Sequence, residues 1–185
     1  MTRQYLLNLL NQYQSSYSEE QEFVPRFLTL LQISNCFERT LLTGHITASA
    51  WITDQSMKNT LLLHHKKLNR WLQPGGHADG IEDVVAVAQK EMEEETGLTT
   101  YQMALDDIFD IDIHAIPERK NIPKHEHYDI RFHFIAENPD EITKNNESLD
   151  LKWIPINEVL NLVNHEQSFV RMIEKNNISA QRLAK

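Results

Sequence analysis

The stretch from Gly76 to Leu98, GHADGIEDVVAVAQKEMEEETGL, decides what kind of molecule this is. It sets Asp79, Glu82, Asp83, Glu91, Glu93, Glu94 and Glu95 against a single base, Lys90, and so holds -6 of the chain's formal charge of -9 in 23 residues. The pattern predicts a helix over 81–96, stopped by Gly97 in a C-cap position. At about 100° per residue, Ile81, Val84, Val85, Ala88 and Met92 fall on one face as the buried stripe. Glu91, Glu94 and Glu95 gather at a border of that stripe, with Glu95 turned furthest toward it. Carboxylates at i, i+3 and i+4 repel one another and are costly to half-bury unless a cation sits among them. A hard divalent ion with oxygen ligands is the natural counter-charge. Mg²⁺ fits because it binds through a few carboxylates and recruits substrate phosphates.

Taken alone, a run such as EMEEE is most often a solvated helix face. Its surroundings point elsewhere, because Pro74, Gly75 and Gly76 form a tight backbone element just ahead of it. There a carbonyl or amide can approach a metal or a phosphate closely. The fixed positions run Gly76, five residues, Glu82, seven residues, Lys90, Glu91, Met92, one residue, Glu94, Glu95, Thr96, Gly97, Leu98. This pattern resembles the Nudix box, with Lys90 standing where the family has Arg. The resemblance continues through HITASAWI, TLLLHH, the Gly-Gly turn and LKWIPINEV, roughly residues 44 to 165, and leaves the front end outside.

The resemblance implies a Nudix-type α/β/α sandwich with a mixed sheet and a Mg²⁺-dependent hydrolase, Mn²⁺ being the other ion the family uses. Its reaction would be cleavage of a pyrophosphate bond in a nucleoside diphosphate linked to another moiety: a nucleotide sugar, a nucleoside triphosphate or a dinucleotide. It assigns metal binding to Glu91, Glu94, Glu95 and the carbonyl of Gly75, and makes Glu91 a candidate base. Several family members place a further acid in the loop before the last long strand; Glu118 and Glu126 lie there, and Glu126, between His125 and His127, is preferred. Family Arg residues hold the loop-helix-loop through several directed hydrogen bonds, one of them to the position of Glu82. Lysine keeps the charge without the planar fork, so Lys90 predicts looser organisation of the site and no loss of metal. None of the short downstream signatures of the NADH, coenzyme A or diadenosine polyphosphate branches is present, which leaves the leaving moiety open. A nucleotide-binding regulatory domain usually lacks acids that are all present here. An enzyme like isopentenyl diphosphate isomerase needs a core cysteine, whereas Cys36 lies in the front end.

Beyond the box, the 185 residues read as one unit with residues 1–43 as a helical extension of a domain over 44–185. The front end repeats apolar residues at helical spacing, and Ser18 with Gln21 offers a capping box. Leu6, Leu7, Leu9 and Leu10 can pack on a second subunit as readily as on their own domain, which leaves a homodimer open. After Gly44 come strands HITASAWI and TLLLHH, then the acidic helix. Two alternating runs follow, DIFDIDIHAI and HYDIRFHFIA, joined by the polar connection PERKNIPKHE; LKWIPI and two tail helices, near Asn157 and Asn164, complete the chain. The order gives an α/β class with helices covering a sheet. His64, His65, Lys66, Lys67 and Arg70 form a basic patch suited to phosphate, with His64, Lys66 and Arg70 the candidate contacts. On the hairpin, His127, Asp129, Arg131 and His133 share one strand face, and His127 and Arg131 are candidate substrate contacts. The acidic balance disfavours nucleic acid and anionic membrane as partners, and no apolar run is long enough to span a bilayer. A single cysteine permits no intramolecular disulfide, and the default address is cytoplasmic.

Overall fold

The computed structural model describes residues 2–119 and 122–183; Lys120 and Asn121 of the polar connection lie outside them. In chain order the elements are α1 (Arg3–Gln12), α2 (Ser18–Leu30), β1 (His45–Thr53), β2 (Asn59–His65), β3 (Arg70–Leu72), β4 (Gly75–His77), α3 (Val84–Thr96), β5 (Tyr101–Met103), β6 (Asp110–Ile116), β7 (His125–Ala136), β8 (Ser148–Pro155), α4 (Val159–Leu162) and α5 (Gln167–Leu183). The long strands, the end of α3 and the tail helices fall where the sequence pattern puts them. Three short strands, β3, β4 and β5, were not legible, since three residues hold too little alternation to register.

The sheet is mixed and curled. β1 and β7 run parallel from His45↔His127 to Thr53↔Ile135, forming the spine. β6 and β5 pair with opposite ends of β7, β4 adds to the start of β1, and β2 meets β1 only at Thr53↔Thr60 before carrying β3 and β8. Period-two alternation sorts the faces. Ile46, Ala48, Ala50 and Ile52 of β1 join Ile130, Phe132 and Phe134 of β7 in a core covered by Val84, Val87, Ala88 and Met92 of α3. On the opposite face Trp51 and Leu62 pack with Val159, Phe169 and Met172 of α4 and α5. Helices on both faces make the α/β/α sandwich.

The front helices belong to the first of these cores. Leu6, Leu10 and Phe27 are fully buried in it, each worth on the order of 1.5–3 kcal/mol of transfer free energy. Leu7 and Leu9 pack against it. Leu6 and Leu10 of the leucine stripe are therefore covered within the chain, with Leu7 and Leu9 partly so. The cap of α2 also differs from the expected box: Tyr17 is the N-cap, without a side-chain bond, and the Ser15 hydroxyl accepts from the Tyr17 N–H at 3.0 Å. Ahead of α5, Asn164 and His165 take positive φ values of 53° and 55°, a turn that ends before the helix begins at Gln167.

Asp129, Arg131 and His133 of the hairpin are buried. The Arg131 guanidinium, 3% exposed, donates to Asp129 (2.8 Å), Asp110 (3.0 Å) and Asp112 (3.1 Å). Asp110, fully buried, also accepts from Arg171 and Lys175 of α5 at 2.7 and 2.9 Å, and Lys175 reaches Glu20 of α2 at 2.5 Å. Burial would raise the Asp110 carboxyl, but Arg131, Arg171 and Lys175 hold it below its ordinary range. This network fastens α2, β6, β7 and α5 together. The proposed substrate contact at Arg131 does not stand, because every arm of its fork is already taken.

Candidate active site

Asp83 caps α3 by accepting from the Ala86 N–H at 3.0 Å, and Gly97 ends it with φ 73°, where its N–H closes on the Glu93 carbonyl at 2.9 Å. The helix thus starts three residues later than the pattern suggested, and Ile81 lies ahead of it, 45% exposed and outside the stripe. Val84, Val87, Ala88 and Met92 are buried, and the same stripe carries Glu95, 9% exposed, toward β4.

β4 receives it. The Gly75 N–H donates to Glu95 Oε2 at 3.0 Å. A Cβ on Gly76 would stand 2.5 Å from the Glu91 carboxyl carbon, so only glycine lets that carboxylate lie against the backbone. Burial pushes the Glu95 pKa up to about 7, opposed by the Gly75 N–H and reinforced by Glu91, Glu147 and Glu94. Glu91 is likewise raised, by burial first and then by Glu94 and Asp79, against the pull of Lys90. Glu94 is 59% exposed. Glu91, Glu94, Glu95 and Gly75 are thus brought together.

Lys90 Nζ lies 3.2 Å from Glu94 Oε2 and 3.5 Å from Glu91 Oε1. Glu82 is held instead by Arg3 of α1, through the backbone N–H at 3.1 Å and an ion pair from Nε at 3.1 Å. A guanidinium from outside the box therefore engages the acid that the family Arg would reach from position 90. Because Lys90 contacts Glu91 and Glu94 as a point charge, Lys90→Arg is expected to lower kcat modestly, by less than about tenfold, with Arg3 already on Glu82. Steady-state kinetics of the variant check this; a clear gain in kcat would show that position 90 does require the fork.

The remaining candidates are scattered. Glu126 accepts from Arg26 of α2 at 2.6 Å and from the Tyr128 hydroxyl at 3.2 Å, because strand alternation turns it to the face covered by α2. It is not among the box acids. His64 stacks on Trp71 with ring centroids 5.0 Å apart, and Arg70 pairs with Glu166 near the start of α5. Lys66 donates its backbone N–H to the Glu147 carbonyl at 2.9 Å, which ties the basic turn to the loop bordering the carboxylates. Asn145 of that loop reaches the Glu94 carbonyl at 3.4 Å. Sequence reasoning missed Glu147, which sits in a patternless loop with nothing to distinguish it from other surface acids. His127 stands apart from the box acids, among other histidines.

A family model of the NUDIX domain matches residues 43–174. Among curated proteins, a "Probable DHNTP pyrophosphohydrolase" of Lactococcus lactis subsp. cremoris (strain MG1363) is 29% identical over 117 residues, 62% of this chain and 69% of that protein. Among solved structures, a C. elegans Ap4A hydrolase binary complex superposes with a TM-score of 0.59 at 21% identity, over 76% of this chain and 98% of the other. A UDP-X diphosphatase gives 0.56 at 16% identity over 98% of this chain and 93% of the other, so that likeness takes in the front helices. The chain belongs to the Nudix family. It is a pyrophosphohydrolase, acting on acid anhydrides in phosphorus-containing substrates. No helix among the described residues is long and apolar enough to cross a membrane.

Proposed function

We propose that the protein is a Mg²⁺-dependent hydrolase of a small nucleotide derivative, a nucleoside diphosphate linked to a sugar, a further phosphate or a second nucleoside. The observation that carries this reading is Glu95, a buried carboxylate with Glu91, Glu94 and Glu147 about it and a single N–H on it. Lys90 reaches its two neighbours, and the arrangement fits a divalent cation as the missing positive charge. Glu91, Glu94, Glu95 and the Gly75 carbonyl would hold it. When bound, the ion would polarise a phosphoryl oxygen and lower the pKa of a coordinated water.

The chain's own groups supply the rest. The Gly75 N–H orients Glu95, and Lys90 keeps Glu91 and Glu94 from repelling one another. Glu91, its carboxyl held above the ordinary range, takes the proton of the attacking water on a side-chain oxygen. A cytoplasmic address goes with this reading, where such nucleotides are made and where the lone Cys36 stays reduced. The test is turnover of a nucleotide sugar, a nucleoside triphosphate, a dinucleotide and, given the Lactococcus relative, dihydroneopterin triphosphate, each followed by ³¹P NMR. One class is expected to dominate kcat/KM; equal, negligible signals across all four would leave a binding domain as the better account.

A further inference from the structure

Away from the carboxylates, three strands bring histidines to one point: His45 of β1, His77 of β4 and His127 of β7 each offer a ring nitrogen, all within 4.8 Å of one another. The placement is fixed by register, since His45 pairs with His127 and His77 with Thr47 on the same sheet. His45, 1% exposed, approaches the Leu41 carbonyl with Nδ1 at 3.2 Å. A carbonyl accepts only, so the proton sits on Nδ1 and Nε2 carries a lone pair. That Nε2 is buried with no partner among the described residues, and so is Nε2 of His127. Two orphaned buried nitrogens converging with a third side chain are costly unless something binds them.

We infer that His45, His77 and His127 form a site for a borderline divalent ion of the Zn²⁺ class, separate from the box carboxylates. Imidazole ligands select such ions, whereas Mg²⁺ prefers oxygen. A hydrogen bond from the far ring nitrogen to a backbone carbonyl, as His45 makes, is what orients a histidine ligand. His125 completes the surroundings: its ring stacks 5.1 Å from His45, and Nδ1 is taken by the Pro123 carbonyl at 2.9 Å. Tetrahedral Zn–N bonds of about 2.0–2.1 Å require nitrogens closer together than the outer limit seen here, so the rings would draw together on binding. Burial, reinforced by repulsion from the neighbouring rings, lowers the His127 imidazole and favours its neutral form, the form that ligates. His77 lies two residues beyond Gly75, so an ion here would pin β4, the strand on which Glu91 and Glu95 rest.

The test uses the full chain, stripped with chelator and titrated with Co²⁺ and then Zn²⁺ in a large excess of Mg²⁺, which occupies the box carboxylates. The expected result is one equivalent bound with visible d–d absorption, and ¹⁵N shifts of ring nitrogens of His45 and His127 on adding Zn²⁺ to the wild-type protein. His77→Asn, a change on a short and half-buried strand, should weaken binding at least about tenfold. Glu94→Gln should leave it unchanged. Absence of the ¹⁵N shifts at saturating Zn²⁺, or binding lost in Glu94→Gln and retained in His77→Asn, would overturn the assignment. The NMR arm needs no variant and so does not depend on one folding.

Discussion

Glu95→Gln is expected to lower kcat by roughly 10²–10³-fold or more while leaving the metal-free protein more stable, not less. The two effects have one cause. Glu95 is buried beside other carboxylates and receives one backbone N–H, so its charge opposes folding unless a cation is bound. Gln keeps the shape and can still accept from Gly75, but it brings no charge. The gain in chelator should be on the order of 1–3 kcal/mol, read as a rise in the denaturant midpoint at constant slope. Activity moves the other way, because the neutral amide is a poor ligand for a hard cation. Equal stability of the two proteins in chelator would mean that the carboxylate is already satisfied by the chain, and the case for a cation there would weaken.

The second large effect lies far from the box. Arg171→Leu should destabilise the fold by about 3–5 kcal/mol, because it removes one cation from a buried network and strands the acids it served. Arg171 donates to Asp110 at 2.7 and 3.0 Å, to Glu19 at 2.8 Å and to the Ile111 carbonyl at 3.0 Å. For a chain of this size the loss corresponds to roughly 6–20 °C in Tm. Arg70→Leu serves as the control. It breaks an exposed pair with Glu166 and should cost less than about 1 kcal/mol. A comparable loss in both variants would show that the buried network has no special weight.

What could be read from sequence follows from how local each signal is. The box helix announced itself through a repeating stripe, a terminal glycine and a charge excess, all within 23 residues. The long strands did so by alternation, and the acids proposed to hold a metal by their spacing on a single helix. Contacts between distant segments left no such trace. Nothing in the alternation of His127, Asp129, Arg131 and His133 tells whether the face they share is wet or covered, and α5 covers part of it with Arg171 and Lys175. The histidine cluster was hidden for the same reason: its members are contributed by β1, β4 and β7, and β4 itself is too short to be seen. Arg3 on Glu82 joins residues 79 positions apart, and no local pattern connects them.

The central claim is that Glu91, Glu94 and Glu95 act through a divalent ion to hydrolyse a phosphorus anhydride. Glu94 tests it most cleanly, because its carboxylate is 59% exposed and its replacement by Gln should leave the fold intact. The measurement is release of phosphorus-containing products from the best substrate of the panel, by wild-type protein and Glu94→Gln, with Mg²⁺ and with chelator. Turnover by the wild type in Mg²⁺ alone, and its loss in the folded variant, is the predicted result. Hydrolysis by Glu94→Gln at the wild-type rate, or full wild-type activity in chelator, would contradict it.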